Sequence, residues 1–202
     1  MSAPTDEALV ESLRRKQAES AETAARFVDR NGAALVACAR ALAAAFDDGA
    51  RLFVMGNGGS ACDALHLAVE CMHPIVEKRP ALPALALGTD PALTSAIGND
   101  RDFALAFADQ LEVLARPGDV AFALSTSGKS RNVTRALKRA RERGLLTVGV
   151  TGKDGGQLPE LCDHCFVVPS YAIHRIQETH GLLLHLLWDT VHVLRGEPDV
   201  LG

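Results

Sequence analysis

The feature that most constrains the fold of this 202-residue chain is a series of short, continuously apolar runs separated by stretches of helical periodicity. A continuous apolar run suits a strand that is buried on both faces, as in a parallel sheet. The alternation of such strands with helices is typical of a doubly wound α/β fold. The runs predict five strands, at residues 52–55, 84–87, 120–124, 146–150 and 166–168.

Helical patterns surround these strands. Residues 60–73, 101–115 and 130–144 fill the intervals, and residues 1–50 form an N-terminal helical extension that Asn31-Gly32 is expected to break into two helices. The last helix, at about Ile173 to Leu194, is apolar over much of its circumference and must be buried on several sides. We therefore predict one domain over residues 1–202. Residues 1–50 serve oligomerisation, and residues 51–202 form the α/β core and the C-terminal helix.

Composition narrows the choice of partner and compartment. The chain is 48% hydrophobic and 23% charged with a net charge of −4, which is ordinary for a soluble protein and argues against broad nucleic-acid binding. No apolar run approaches the roughly 20 residues that span a bilayer, and the acidic N-terminal segment does not resemble a signal peptide. The five cysteines are odd in number and scattered, which fits reduced thiols. We expect a cytoplasmic protein with neither nucleic acid nor membrane as a partner.

Two polar loops stand where an apolar strand gives way to a helix. The glycine loop is residues 56–60 (GNGGS), and the serine loop is residues 125–130 (STSGKS). Hydroxyls and free backbone N–H groups at a helix N-terminus bind anions, because the helix dipole and the unpaired donors both point outward. Ligands of doubly wound folds also lie beyond the carboxyl ends of the strands. These loops predict a phosphorylated small molecule as the ligand.

Neither loop is a nucleotide-binding motif. The glycine loop lacks the G-x-G-x-x-G spacing of a dinucleotide fingerprint, and the serine loop lacks the glycine that a P-loop places before its Gly-Lys pair. Four hydroxyls at a helix N-terminus suit a single phosphate better.

His66 and Glu70 are four residues apart on the helix that follows the glycine loop, so they share one face. An imidazole and a carboxylate there could hold a metal ion, or act as a general base beside a proton donor. Spacing alone favours the simpler interpretation, an ordinary helical pair at the edge of the core.

His185 interrupts the apolar stretch of the last helix, as a core histidine with a hydrogen-bond partner or as a ligand. Gln177 lies eight residues earlier, about 12 Å along a helix. One straight helix cannot easily offer both side chains to one ion. Either the segment near Gln177 is not fully helical, or one of the two residues serves a site on a neighbouring subunit.

Five ordered motifs between about residues 35 and 195 resemble the sugar isomerase (SIS) domain, and within it the phosphoheptose isomerases. They are GNGGS at 56–60, Cys62-Asp63-Ala64 with His66, STSG at 125–128, TGKDGG at 151–156, and Arg175-Ile176-Gln177-Glu178 with His180. The resemblance implies a flavodoxin-like, five-stranded parallel sheet flanked by helices and a homotetramer with shared active sites. It also implies isomerisation of sedoheptulose 7-phosphate to D-glycero-D-manno-heptose 7-phosphate through an enediol(ate), for heptose nucleotide biosynthesis.

The same resemblance implies roles for individual residues. Glu70 matches the general base and His185 the general acid. Metal-dependent members hold one zinc ion per site with the residues that match His66, Glu70, Gln177 and His185. Phosphate binding falls to Ser125, Thr126, Ser127 and Ser130, and the remaining substrate-binding residues are Asn57, Gly58, Gly59, Ser60, Asn99, Asp100 and Gln177.

Two departures from the family pattern lie near the expected sugar site. The segment after Glu70 reads Cys71-Met72-His73-Pro74, where the family usually has an arginine and a glycine. His174 stands where an aspartate commonly precedes the Arg-Ile-Gln motif. Both changes could alter the chain length or stereochemistry of the sugar.

Two other functional classes share this pattern. Non-catalytic SIS proteins that associate with the bacterial replication initiator resemble the chain over the same length but lack the acid histidine. A sugar-phosphate-binding regulatory module would keep the serine loop without needing both Glu70 and His185. The presence of both residues favours the enzyme.

Overall fold

A computed structural model describes residues 3–75 and 79–199. Within these residues five parallel strands form one sheet in the order β2-β1-β3-β4-β5, which is the flavodoxin-like arrangement. The predicted fold is confirmed, and the strand ends move by no more than two residues. The strands are β1 (Leu52–Met55), β2 (Ala84–Ala86), β3 (Val120–Ser125), β4 (Leu146–Thr151) and β5 (His164–Val167).

Helices cover both faces of the sheet, because successive residues of a strand point to opposite sides. The helices are α1 (Asp6–Asp47), α2 (Gly59–Met72), α3 (Pro91–Asp100), α4 (Ala108–Leu114), α5 (Arg131–Glu142), α6 (Leu158–Leu161) and α7 (Ile173–Leu194). Val54 and Phe122 pack with α1, α2 and α7, whereas Met55 and Ala123 pack with α4, α5 and α6.

The predicted break at Asn31-Gly32 is wrong, because α1 runs through it as one helix of 42 residues. A glycine inside a helix costs only about 1 kcal/mol. The Asn31 amide donates to the Phe27 carbonyl, four residues back, which is compatible with the helix. Phe27 and Leu35, on either side of the pair, are both buried in the core that α1 shares with α7. Tertiary packing therefore overrides the weak local signal.

The predicted helix at 101–115 is also wrong in extent. The chain instead forms α3, a 3₁₀ turn at Phe103–Leu105, and α4. Asp90 caps the first N–H groups of α3, and Pro91 occupies its first turn. Asp102 accepts from the Ala104 N–H and starts the 3₁₀ turn, so the helix cannot pass through it. Both capping aspartates were visible in the sequence.

Strand order decides where the two polar loops lie. β1 and β3 are hydrogen-bonded neighbours, with Met55 opposite Ala123. Their carboxyl ends therefore emerge side by side, at the point where successive connections leave in opposite directions along the sheet. Across the described ranges, no helix combines the length and apolarity that crossing a bilayer requires.

We predict that His180 makes the fold sensitive to acid. Its side chain is fully buried, and burial lowers its pKa from 6.5 to about 4, with a smaller opposing effect from the Thr151 backbone. Between these values the unfolded chain binds a proton that the folded chain does not, so stability falls as pH drops from 6.5 toward 4. This one group accounts for up to about 3 kcal/mol of unfolding free energy.

The predicted dependence of unfolding free energy on pH is tested by urea unfolding at several pH values and one fixed protein concentration. His180→Leu should flatten the dependence of unfolding free energy on pH. Thr179→Val changes a buried neighbour without removing a titratable group, so it should shift the curve and keep its slope. An unchanged slope in His180→Leu would contradict the assignment.

Candidate active site

Two side-chain hydrogen bonds join Asn57, in the glycine loop, to Asn132, in the first turn of the helix that follows the serine loop. Asn57 Nδ2 donates to Asn132 Oδ1 at 2.9 Å, and Asn132 Nδ2 donates back to Asn57 Oδ1 at 2.8 Å. Asn132 also accepts from the N–H of Val133 and is buried. Because both amides are paired with each other, the start of α2 and the start of α5 are held at one spacing.

The serine loop gathers hydroxyls at the N-terminus of α5. Ser125 Oγ lies 3.2 Å from Ser130 Oγ, and Ser127 Oγ accepts from the N–H of Lys129. Ser130 is the N-cap residue of α5, yet its side chain makes no capping hydrogen bond. Its hydroxyl and the helix dipole can therefore both act on an anion.

The backbone of Gly155 and Gly156 packs against the serine loop at Gly128. Gly128 has a φ of +62°, and a Cβ there would lie 2.0 Å from the carbonyl oxygen of Gly155. A Cβ at Gly156 would lie 2.5 Å from the backbone of Gly128. The N–H of Gln157 donates to the Gly128 carbonyl at 2.9 Å. The shape of the serine loop thus depends on backbone-to-backbone packing that only glycine permits.

A cluster of three candidate catalytic or metal-binding side chains lies between α2 and α7. His66 Nε2 is 3.4 Å from Glu70 Oε1 and 3.2 Å from His185 Nε2. The two imidazole rings meet edge to face with centroids 4.9 Å apart. One ligand atom from each of the three residues lies within 4.8 Å of the others. His66 and Glu70 thus share one cluster with His185, which is exposed rather than a core histidine.

This cluster fits a zinc ion. Two imidazole nitrogens and a carboxylate oxygen are common zinc ligands, bound at about 2.0–2.2 Å. A tetrahedron of that size has edges of about 3.3–3.6 Å, close to the two short separations between the ligand atoms. Three protein ligands with an open fourth position are typical of catalytic zinc sites.

Gln177 lies elsewhere in the same chain. Its side chain packs on Gly59 at the first turn of α2, where its Nε2 would be 2.2 Å from any added Cβ. Gln177 belongs to a regular part of α7, so the alternative in which this segment is not helical is wrong. Gly59 precedes His66 by about 10 Å along α2, so within one chain Gln177 and His185 face opposite ends of that stretch.

The structure brings Asn99 and Asp100 into no hydrogen bond or ion pair with the polar loops or with the His66, Glu70 and His185 cluster, among the residues that it describes. Asn99 and Asp100 end α3, are exposed, and hydrogen-bond to each other. Two residues later, Asp102 Oδ2 lies 3.6 Å from Arg131 Nη2, an exposed ion pair between the segment that follows α3 and the first turn of α5. His174 is exposed in the first turn of α7.

Sequence reasoning missed Asn132 and gave no role to Gly155 and Gly156. A signal for Asn132 was present, because it occupies the same stripe of α5 as the buried Ala136 and Ala140. A polar residue on an apolar stripe in the first turn of a helix indicates a specific partner.

Comparison with known proteins identifies a family for this chain. A family model described as the SIS domain matches residues 17–152. The phosphoheptose isomerase of Aquifex aeolicus is 42% identical over 183 residues, which cover 91% of this chain and 96% of that protein. The chain belongs to the phosphoheptose isomerase family of SIS domain proteins.

Other phosphoheptose isomerases extend the match. The relative from Pelobacter propionicus is 49% identical over 150 residues, covering 74% of this chain and 79% of its own length. The solved structure from Neisseria gonorrhoeae superimposes with a TM-score of 0.85 at 35% identity, over 91% of this chain and 98% of that one. The family resemblance read from the motifs is confirmed, and so is the fold that it implied.

We predict that Gly128→Ala disables the serine loop as an anion site. The added Cβ would collide with the Gly155 carbonyl and force the loop open. Gly118→Ala is the matched control, because Gly118 also has a positive φ but no atom within 4 Å of the added Cβ. Titration with inorganic phosphate should show weak binding in the first variant and wild-type binding in the second. If the two variants bound phosphate equally well, the contact between Gly128 and Gly155 would not determine the shape of the site.

Proposed function

We propose that this protein is an aldose–ketose isomerase that converts sedoheptulose 7-phosphate to D-glycero-D-manno-heptose 7-phosphate. The observation that carries the proposal is the cluster of Glu70, His66 and His185. Glu70 and His66 lie on α2, the helix that starts at the glycine loop, and His185 faces them from α7. The relatives' printed names support the same reaction.

The phosphate is assigned to the serine loop. Ser125, Thr126, Ser127 and Ser130 offer hydroxyls, and the N-terminus of α5 offers backbone donors. The glycine loop, with Asn57, Gly58, Gly59 and Ser60, lines the sugar. Asn99, Asp100 and Gln177 are assigned to hydroxyls of the sugar, and this assignment rests on the family resemblance.

The reaction moves one hydrogen from C1 to C2. The Glu70 carboxylate takes a proton from C1 while His185 donates a proton to the C2 oxygen, which forms the enediol. The protonated Glu70 then returns a proton to C2 as His185 recovers one from the C1 oxygen, which leaves the aldehyde. Negative charge that develops on the two oxygens must be stabilised during both transfers.

We assign one zinc ion per site to His66, Glu70 and His185. When bound, the ion supplies Lewis-acid polarisation of the carbonyl. Gln177, the fourth residue that matches the family's ligands, lies against Gly59 in its own chain. We therefore assign its ligand role to the assembled tetramer, in which sites are shared between subunits.

The tetramer is proposed from surface apolarity as well as resemblance. Leu9, Val10 and Leu13 are exposed on the first turns of α1, which at 42 residues is about 63 Å long. A helix that leaves such side chains uncovered suits a partner helix.

We further propose that residues 1–202 act as one domain in the cytoplasm, within heptose nucleotide biosynthesis. Residues 1–2, 76–78 and 200–202 lie outside the described part.

The two rival classes of protein differ from the enzyme in one requirement, which is a paired general base and general acid. A replication-initiator-associating protein or a sugar-phosphate-binding regulatory module needs no paired base and acid. Glu70 and His185 each lie close to His66, and this arrangement has a use in proton transfer that binding alone does not explain.

We predict that Glu70→Gln and His185→Ala each lower kcat by roughly 100- to 10,000-fold, the usual contribution of a general base or acid. Both variants should keep the oligomeric state of the wild type. Proton NMR would follow the aldose formed from sedoheptulose 7-phosphate, with shorter ketose phosphates alongside. Glu142→Gln, on the exposed face of α5, is the matched control and should keep full activity.

Turnover at the wild-type rate in either site variant would refute the assigned role. Failure of the wild type to convert any of these ketose phosphates would favour a binding protein.

Metal analysis gives a separate prediction. The wild type should retain about one zinc ion per subunit after dialysis, and His66→Ala should retain far less because it removes one of the three ligands. Mass spectrometry of the dialysed protein measures the ratio directly. Full activity after verified removal of zinc would limit Glu70 and His185 to acid–base roles.

A further inference from the structure

The last turn of α2 leaves backbone carbonyls that the helix itself cannot satisfy. The Val69 carbonyl still accepts a helical hydrogen bond, from the N–H of the C-cap residue His73 at 2.8 Å, whereas the Cys71 carbonyl accepts from the N–H of Leu82 at 2.7 Å. The carbonyl of Glu70 is different, because it accepts from the indole Nε1 of Trp188 at 2.7 Å. A side chain of α7 thus holds the backbone of the residue proposed as the base.

The indole is itself held tightly. Trp188 is buried, and the Arg79 guanidinium lies over its ring at 4.8 Å from the centroid. Arg79 is paired at 2.8 Å with Asp189, the next residue of α7, and also donates to the Pro198 carbonyl. The ring of His192 packs against the indole with centroids 4.7 Å apart. The indole therefore has little freedom to release the Glu70 carbonyl.

Trp188 also follows His185 by three residues, which is nearly one helical turn. Helix α7 runs parallel to α2, since Gln177 meets Gly59, His185 meets His66 and Trp188 meets Glu70. The last of these contacts is a directional hydrogen bond, so it resists sliding and rotation between the helices. A shift of α2 along α7 would change the separation of the Glu70 and His185 side chains.

We propose that Trp188 is a positioning residue for the isomerisation. Its indole N–H fixes Glu70 relative to His185, and Arg79 with Asp189 braces the ring from outside the site. This inference rests on the proposed function, because it assigns Trp188 a part in the proton transfers of Glu70 and His185. Trp188 itself touches no reacting atom.

The test compares Trp188→Phe with Val191→Ala. Phenylalanine keeps an aromatic ring against Arg79 but removes the N–H donor. Val191 is buried one turn further along α7 in the same core, so Val191→Ala lowers stability without reaching Glu70. We expect Trp188→Phe to lose roughly ten- to a hundredfold in kcat with KM within about twofold of the wild type. Val191→Ala should lower the melting temperature and keep both constants. Equal kcat values for the wild type and a folded Trp188→Phe would overturn the proposal.

A second measurement uses the wild type alone and does not depend on activity. Trp188 is the only tryptophan, so its indole N–H gives a single, self-assigned signal in a ¹⁵N-correlated NMR spectrum. We expect slow exchange of this N–H with solvent, and a shift of the signal when sedoheptulose 7-phosphate is added. Rapid exchange would show that the hydrogen bond is absent, and the proposal would fall even if Trp188→Phe did not fold. A protected N–H in a wild type that turns over no sugar phosphate would instead mean that the proposed function had failed.

Discussion

The pairing of β1 with β3 is the constraint on which the rest of the site depends. Parallel neighbours release their chains at the same edge, so the loops after Met55 and Ser125 must start within one strand spacing of each other. The reciprocal hydrogen bonds of Asn57 and Asn132 then remove the freedom that remains. Two loops that are weak signals separately become one preorganised surface of hydroxyls and helix N-termini, and little ordering is left to occur when a ligand binds.

A second pairing, of α2 with α7, places the proposed reacting groups, His66, Glu70 and His185, at a distance from that surface. The glycine loop begins α2, and His66 lies about 10 Å further along the same helix. The ends of the site that we propose to bind phosphate and to transfer protons are therefore set by different contacts, one within the sheet and one between helices. A substrate with its phosphate and carbonyl at opposite ends of a long carbon chain suits this separation, in agreement with a heptose 7-phosphate.

The sequence predicted these features to different degrees, for physical reasons. Buried parallel strands need continuous apolar runs, so all five strands were found, and the apolar circumference of α7 gave its bounds as Ile173 to Leu194. Contacts between residues that are far apart in the chain leave weaker signals in the sequence. Gly32 looked like a helix end because packing of Phe27 and Leu35 cannot be read locally. The roles of Asn132 and Trp188 depend on partners 75 and 118 residues away, so only the finished fold brings those partners together.

The segment that departs from the family pattern is the segment that closes α2. Pro74 cannot continue a helix, and α2 ends at Met72 with His73 as its C-cap. The carbonyls left open there are taken by Leu82 and Trp188, so the end of this helix is stabilised by the returning chain and by α7. Because Glu70 belongs to that last turn, we expect substitutions in Cys71 to Pro74 to act on the proposed base through the backbone of α2, even where their side chains do not touch the sugar.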